Sequence, residues 1–201
     1  MTKPTPSVPY FVIPLQTLLL PEWEDLAAQV FTSLATFECA RSKHLQDFAR
    51  RDHLKYEAHG HSRTYFLVTN SSQQPLEVIA FFTVGMATLN FGKVQSKTLK
   101  SKLLGNITTT EAGAYSIAEL ARSDKYTSQQ MPGATILQEA KNVIRQARQH
   151  VGGRYLVVTA QPAVFRSLYE PAGFAAIHSA EPPRAMPGMH FVAGCCQIRD
   201  L

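Results

Sequence analysis

The sequence predicts an α+β protein: a mainly antiparallel sheet first, then strand–helix–strand–helix–strand. Three observations lead there. Up to residue 85, runs rich in β-branched and aromatic residues are separated by clusters of turn residues. From Thr135 to about His150, Ile136, Leu137, Ala140, Val143, Ile144 and Ala147 form an apolar stripe of 3.6-residue period opposite Gln, Lys and Arg. The run after it, Tyr155 to Thr159 (YLVVT), has no polar alternation, as expected of a strand covered on both faces. With 201 residues, 45% of them apolar, and no repeat or low-complexity linker, one domain over 1–201 is expected.

The elements follow in order. Tyr10 to Ile13 is a β-rich run. From Phe37 to about Tyr56 the pattern is helical, with Leu45, Phe48, Ala49 and Tyr56 at three-, four- and seven-residue spacings. His59 to Ser62 makes a turn, Thr64 to Thr69 (TYFLVT) a strand, Asn70 to Pro75 a hairpin loop, and Leu76 to Gly85 the partner strand. Asn90 to Glu111 is polar and reads as a loop carrying Lys93, Lys97, Lys100 and Lys102. Tyr115 to Ala121 (YSIAELA) is a buried strand, and Ser123 to Ala134 is rich in turn residues. The long helix then begins, and Gly152-Gly153 stops it. Pro162 opens a short helix that Pro171 and Gly173 close, and Ala175–His178 and Met189–Ile198 are two last strands around a Pro-rich loop.

Composition narrows the function classes. No stretch reaches the ~18 to 20 uninterrupted apolar residues that cross a bilayer, so no membrane role is expected. Pro9 to Pro21, the most apolar stretch, has no basic run before it and no small-residue cleavage site after it, so it makes a poor signal peptide. Cys39, Cys195 and Cys196 are odd in number and lack CxxC spacing, which speaks against a disulfide framework and a zinc site and for a reducing cytoplasm. His53, His59 and His61 are read as neutral surface histidines beside a turn rather than as metal ligands. Twenty Lys and Arg against fifteen Asp and Glu give a net charge of +5, a moderate bias toward anionic partners. The lysines between 93 and 102 are either a solvated loop or a phosphate-binding patch.

The segment with chemical promise is a buried strand, a glycine-containing turn and an amphipathic helix. The first helical N–H groups lack intrahelical partners, and the helix dipole adds about half a positive charge there, which suits phosphate. Here the turn holds Gln130-Met131-Pro132-Gly133-Ala134-Thr135. Alone, the segment is better read as a helix that happens to follow a glycine turn.

A second segment lies downstream: strand Tyr155–Thr159, then Pro162 to Phe174, ending Tyr169-Glu170-Pro171-Ala172-Gly173-Phe174. Together the two resemble the central motifs of the GNAT superfamily of acyl-CoA N-acyltransferases. Gln130 to Thr135 fits Q/R-x-x-G-x-G/A except at Thr135, and Tyr169 to Phe174 matches Y-x-x-x-G-F outright. The resemblance runs from about Phe37 to Ile198. The Thr64–Val68 and Ile79–Thr83 strands and Ile117-Ala118-Glu119-Leu120-Ala121 are similar to the branch that includes the acetyltransferase toxins of type II toxin–antitoxin pairs. Two departures stand out: about three extra residues between Tyr126 and Gly133, and Arg122 where that branch usually has an aliphatic residue.

The resemblance implies a GNAT-like fold, splayed between the strands at 115–121 and 155–159, and an acetyl-CoA-dependent N-acetyltransferase. It places pantetheine along Leu120, Ala121 and Arg122, and the pyrophosphate at Gln130, Met131, Pro132, Gly133, Ala134 and Thr135. It gives Tyr169 the proton for the leaving thiol; otherwise Tyr169 is a core aromatic. It gives Glu119 the role of proton acceptor; otherwise Glu119 is a solvated or ion-paired carboxylate. No metal is implied. The acceptor it suggests is a primary amine, the α-amine of aminoacyl-tRNA first, with a protein or small-molecule amine as the alternative. An antitoxin partner and a homodimer are consistent with that branch. A GNAT fold that binds a partner without catalysis is the rival class.

Overall fold

The computed structural model describes residues 5–70, 75–182 and 188–198. In chain order the main elements are β1 (Tyr10–Pro14), α1 (Leu15–Leu18), α2 (Glu24–Ala35), α3 (Lys43–Asp47), α4 (His53–Ala58), β2 (Ser62–Thr69), β3 (Val78–Asn90), α5 (Lys97–Leu104), β4 (Glu111–Ile117), β5 (Leu120–Arg122), α6 (Gly133–Val151), β6 (Tyr155–Ala160), α7 (Pro162–Val164), β7 (Ala175–Ala180) and β8 (Phe191–Gln197). The strands form one sheet of eight, ordered β1–β2–β3–β4–β6–β8–β7, with β5 paired to β3 off that path. The β4–β6 pair is parallel, while β1–β2, β3–β4, β3–β5, β6–β8 and β7–β8 are antiparallel. The architecture is the expected α+β one.

The chain divides into two compact units, Met1–Val84 with Glu119–Ala140, and Gly85–Ala118 with Lys141–Leu201. In the first, Phe81 from β3 packs edge-on against Phe37 at 5.5 Å and stacks on Phe48 at 5.4 Å. All three are essentially inaccessible to water, and burying a side chain of that size stabilises by roughly 1.5–3 kcal/mol. In the second, Leu89, Phe91, Leu103, Tyr155 and Ile177 form the corresponding cluster. The Tyr155 hydroxyl donates to the Leu103 carbonyl at 2.8 Å and the Gln197 side-chain amide to the Lys102 carbonyl at 2.9 Å. Those bonds satisfy carbonyls at the end of α5 that would otherwise be orphans.

Several elements differ from the sequence reading. Residues 90–111 are not one loop, because α5 lies inside them. Ser96 caps it through a bond from the Leu99 N–H at 3.2 Å, and Leu103 is buried beneath it. The helix expected from Phe37 begins only at Lys43, and a π turn over Phe48–Asp52 joins α3 to α4. Helix α2, not foreseen, covers the core with Ala27, Val30 and Leu34. The single strand expected over 115–121 is two strands with a break at residues 118–119. His53 is no surface histidine: it is buried, with its ring against Phe31 and Phe66. The hairpin loop after Asn70 and the Pro-rich loop near residue 185 lie largely outside the described residues. Among the described residues, no helix is long and apolar enough to cross a membrane, and no group of His, Cys, Asp or Glu is placed to hold a metal.

Candidate functional site

The break between β4 and β5 is built by register. Gly85 of β3 pairs with Ser116, and Phe82 pairs with Leu120. Two residues of β3, Thr83 and Val84, therefore oppose three, Ile117 to Glu119, which is a β-bulge. Bulges interrupt a ladder and re-aim the side chain they carry. Thr83 fixes this one from both sides: its N–H donates to the Glu119 carbonyl at 2.9 Å, and its hydroxyl accepts from the Glu119 N–H at 3.0 Å. Thr83 is fully buried. The Glu119 carboxylate therefore leaves a rigid backbone, and it meets the His44 imidazole of α3 with Oε1 2.8 Å from Nε2. Side-chain exposure is 23% for His44 and 18% for Glu119, so the pair is shielded yet reachable. The hydrogen bond that Glu119 accepts from the ring is the main cause that holds the His44 pKa above its ordinary value, while burial opposes it.

The ladder between β4 and β6 ends at Ile117 and Val158, while past the bulge, from Leu120, the chain continues to pair with β3. Downstream, the loop before α6 is closed by its own polar groups. The Gln130 side-chain oxygen accepts from the Thr127 N–H at 2.8 Å, and the Thr127 hydroxyl accepts from the Gln130 N–H at 3.2 Å. Arg122 donates from Nη1 to the Met131 carbonyl at 2.9 Å, tying β5 to the loop. Its Nε is buried and has no partner among the described residues, and burial and the neighbouring Arg41 lower its pKa.

The amides at the helix start are not equivalent. The Met131 N–H is bonded to the Thr127 carbonyl and the Thr135 N–H to the Pro132 carbonyl, and Pro132 has none to give. Gly133 and Ala134 open α6, two residues earlier than the sequence placed its start, and their N–H groups have no partner among the described residues. An anion at this helix end would have these two amides to meet. Met131 and Pro132 are buried, and Leu120 and Arg122 are half-buried on β5.

Tyr169 lies in the second unit, on a π turn over Phe165–Tyr169 that continues α7. Single π turns inside helices are frequent at functional sites. The ring is buried, edge-on to Phe174 at 5.4 Å and 6.3 Å from Phe165. The following turn is pinned by the buried Lys141, whose Nζ donates to the Ala172 carbonyl at 2.8 Å and sits 5.3 Å above the Phe174 ring. Beneath Phe165, Gly194 of β8 leaves room that a Cβ would fill at 2.2 Å from the ring.

Glu119, Leu120, Ala121, Arg122 and Gln130 to Thr135 thus fall in one unit, and Tyr169 falls in the other. Sequence reasoning missed His44, Thr83 and Lys141. His44 is 75 residues from Glu119, and no spacing rule connects them; the one-residue bulge that aims Glu119 toward it leaves no local sequence signal.

No protein-family profile matches the chain, and no curated protein matches it by sequence. Solved structures do. A mutant of KacT superposes with a TM-score of 0.69 at 15% identity, over 95% of this chain and 96% of that one. AtaT complexed with acetyl-methionyl-tRNA gives 0.68 at 18% identity, over 94% and 95%. A mutant of the AtaT toxin bound to the C-terminus of the antitoxin AtaR and acetyl-CoA gives 0.58 at 17% identity, over 83% and 86%. This chain shares the fold of these structures.

Proposed function

We propose that this GNAT-fold chain is an acetyl-CoA-dependent N-acetyltransferase in which a primary amine attacks the thioester directly in a ternary complex. The observation that carries the reading is the sequence of bulge, short strand β5, self-closed loop and two amides without a partner among the described residues at the head of the 19-residue α6. Such an end suits a pyrophosphate, and β5 offers a strand edge for an extended pantetheine. Tyr169 is the proton donor to the leaving sulfur. The whole chain, 1–201, works as one catalytic domain.

For the acceptor we propose the α-amine of an aminoacyl-tRNA, and for the partner an antitoxin, as in the toxin branch the sequence resembles. An α-amine titrates near ~7.7–8, so a useful fraction is neutral at cellular pH. Helix α5 presents Lys97, Lys100 and Lys102 on a chain of net charge +5, which favours a polyanionic acceptor. These substrates and the three free thiols suit work in the cytoplasm.

Two measurements test the reading. Acetyl-CoA should raise the melting temperature, since a ligand at one hundred times its Kd stabilises by about 2.7 kcal/mol; no shift at millimolar acetyl-CoA would refute cofactor binding. Transfer of radiolabelled acetyl groups should then appear on charged total tRNA and not on uncharged tRNA. Replacing Lys97, Lys100 and Lys102 with Ala should weaken tRNA binding, flatten its salt dependence and spare acetyl-CoA affinity. Labelling of a peptide or polyamine without labelling of charged tRNA would move the acceptor to a free amine.

A further inference from the structure

Resting on the acetyltransferase reading, we propose that His44 takes the proton of the acceptor amine and that Glu119 holds it in place, so that the two act as one proton-accepting pair. The geometry fixes both members. Glu119 hangs from a bulge clamped on two sides by the buried Thr83. His44 lies in the first turn of α3, which Ser42 caps through a bond from the Leu45 N–H at 3.3 Å. The same helix is anchored where the Gln46 side-chain oxygen accepts from the Cys39 N–H at 3.1 Å. Neither side chain must reorganise to make the 2.8 Å contact.

A carboxylate only accepts hydrogen bonds, so Glu119 selects the neutral tautomer that carries its proton on Nε2. The lone pair is then on Nδ1, which has no partner among the described residues, and His44 retains some exposure to substrate. The charged groups that face the imidazole are Glu119 from the strand side and Asp47 and Asp52 from its own helical run. All three are acidic and favour the imidazolium that forms. A carboxylate alone, titrating near ~4, is poorly matched to an ammonium near ~8, whereas an imidazole titrating between them accepts its proton with far less uphill cost.

The step balances. An acceptor R–NH₃⁺ gives one proton to Nδ1 and becomes R–NH₂. The nitrogen bonds to the acyl carbon, the carbon–sulfur bond breaks, and a second nitrogen proton replaces the one that the donor hydroxyl gives to sulfur. The products are the amide, the CoA thiol and a His44 imidazolium, which returns its proton to water.

The test uses single-turnover transfer from acetyl-CoA to an accepted amine, measured from pH 5.5 to 9. Wild type should show an acid limb. His44→Gln should lose about 10²- to 10⁴-fold at neutral pH, show only the limb of the acceptor amine near ~8 in place of the His44 limb, and keep wild-type acetyl-CoA affinity. Glu119→Gln should keep the limb but move it to lower pH. A second readout needs no turnover: the NMR titration midpoint of His44 should fall in Glu119→Gln. His44→Gln with wild-type rate and profile, or an unchanged midpoint in Glu119→Gln, would overturn the pair while leaving the acetyltransferase reading intact. Absence of transfer by wild type to every amine, tRNA-borne or free, would overturn the acetyltransferase reading and the pair with it.

Discussion

Single atoms carry much of the chemistry proposed for this chain. Removing only the hydroxyl of the buried Tyr169 keeps the ring against Phe174 and Phe165, so Tyr169→Phe should fold and bind acetyl-CoA while losing most of its turnover. Near wild-type kcat on an established acceptor would remove Tyr169 from the chemistry. His53 has the opposite character to His44. Its Nδ1 is 3.3 Å from the Phe48 carbonyl and its Nε2 is buried with no partner among the described residues, and burial lowers its pKa below the ordinary 6.5. As pH falls through 6.5, the unfolded chain takes a proton that the native one resists, so the native state loses stability down to the lowered value. His44, with a raised pKa, contributes in the other sense: its share is present below 6.5 and is lost as pH rises through the raised value. Unfolding free energies from urea titrations between pH 7 and 5 should therefore fall less steeply for His53→Leu than for wild type, by up to about 1.4 kcal/mol per pH unit. Parallel slopes would show that His53 takes its proton in the native state.

Among the elements, the π turn bearing Tyr169 is the one most exposed to a small change elsewhere. A methyl group at Gly194 would meet the Phe165 ring at 2.2 Å, so Gly194→Ala must displace the residue one turn before Tyr169. It should cost about 1–3 kcal/mol of stability, read by denaturant unfolding, and lower kcat more than acetyl-CoA affinity. What the sequence revealed of the elements depended on period and length. Helix α6 was legible because six apolar residues from Ile136 to Ala147 keep a 3.6 stripe over about three turns, and the Y-x-x-x-G-F turn was legible as a motif. Helix α5 was not, because four lysines, counted from Lys93, mask a stripe carried by Leu99, Leu103 and Leu104. The split of 115–121 into β4 and β5 was also hidden, since a bulge is a matter of register against β3 and not of composition. The same bulge concealed the His44–Glu119 pair. Glu119 was named as a candidate from the motif alone, with its partner out of reach of any local pattern.

At the scale of the molecule, the α+β order was readable. The run YLVVT was read as a strand covered on both faces, and it is β6, parallel to β4 across α6. The strand order was less readable, because antiparallel neighbours such as β6 and β8 are chosen by long-range packing. That order has a consequence for how the chain comes together in time. Strand β8 follows every other described strand along the chain, yet it lies between β6 and β7. Until residues 191–197 are available, β6 presents an open edge of unpaired N–H and C=O groups, and an open edge is a template for association with other chains. A chain ending at residue 190 should therefore collect in the insoluble fraction, whereas a soluble, folded product would show that the sheet closes without β8. During synthesis the same gap persists until residues 191–197 emerge, so sheet completion, and any activity that depends on it, waits on the strand that follows all the other described strands.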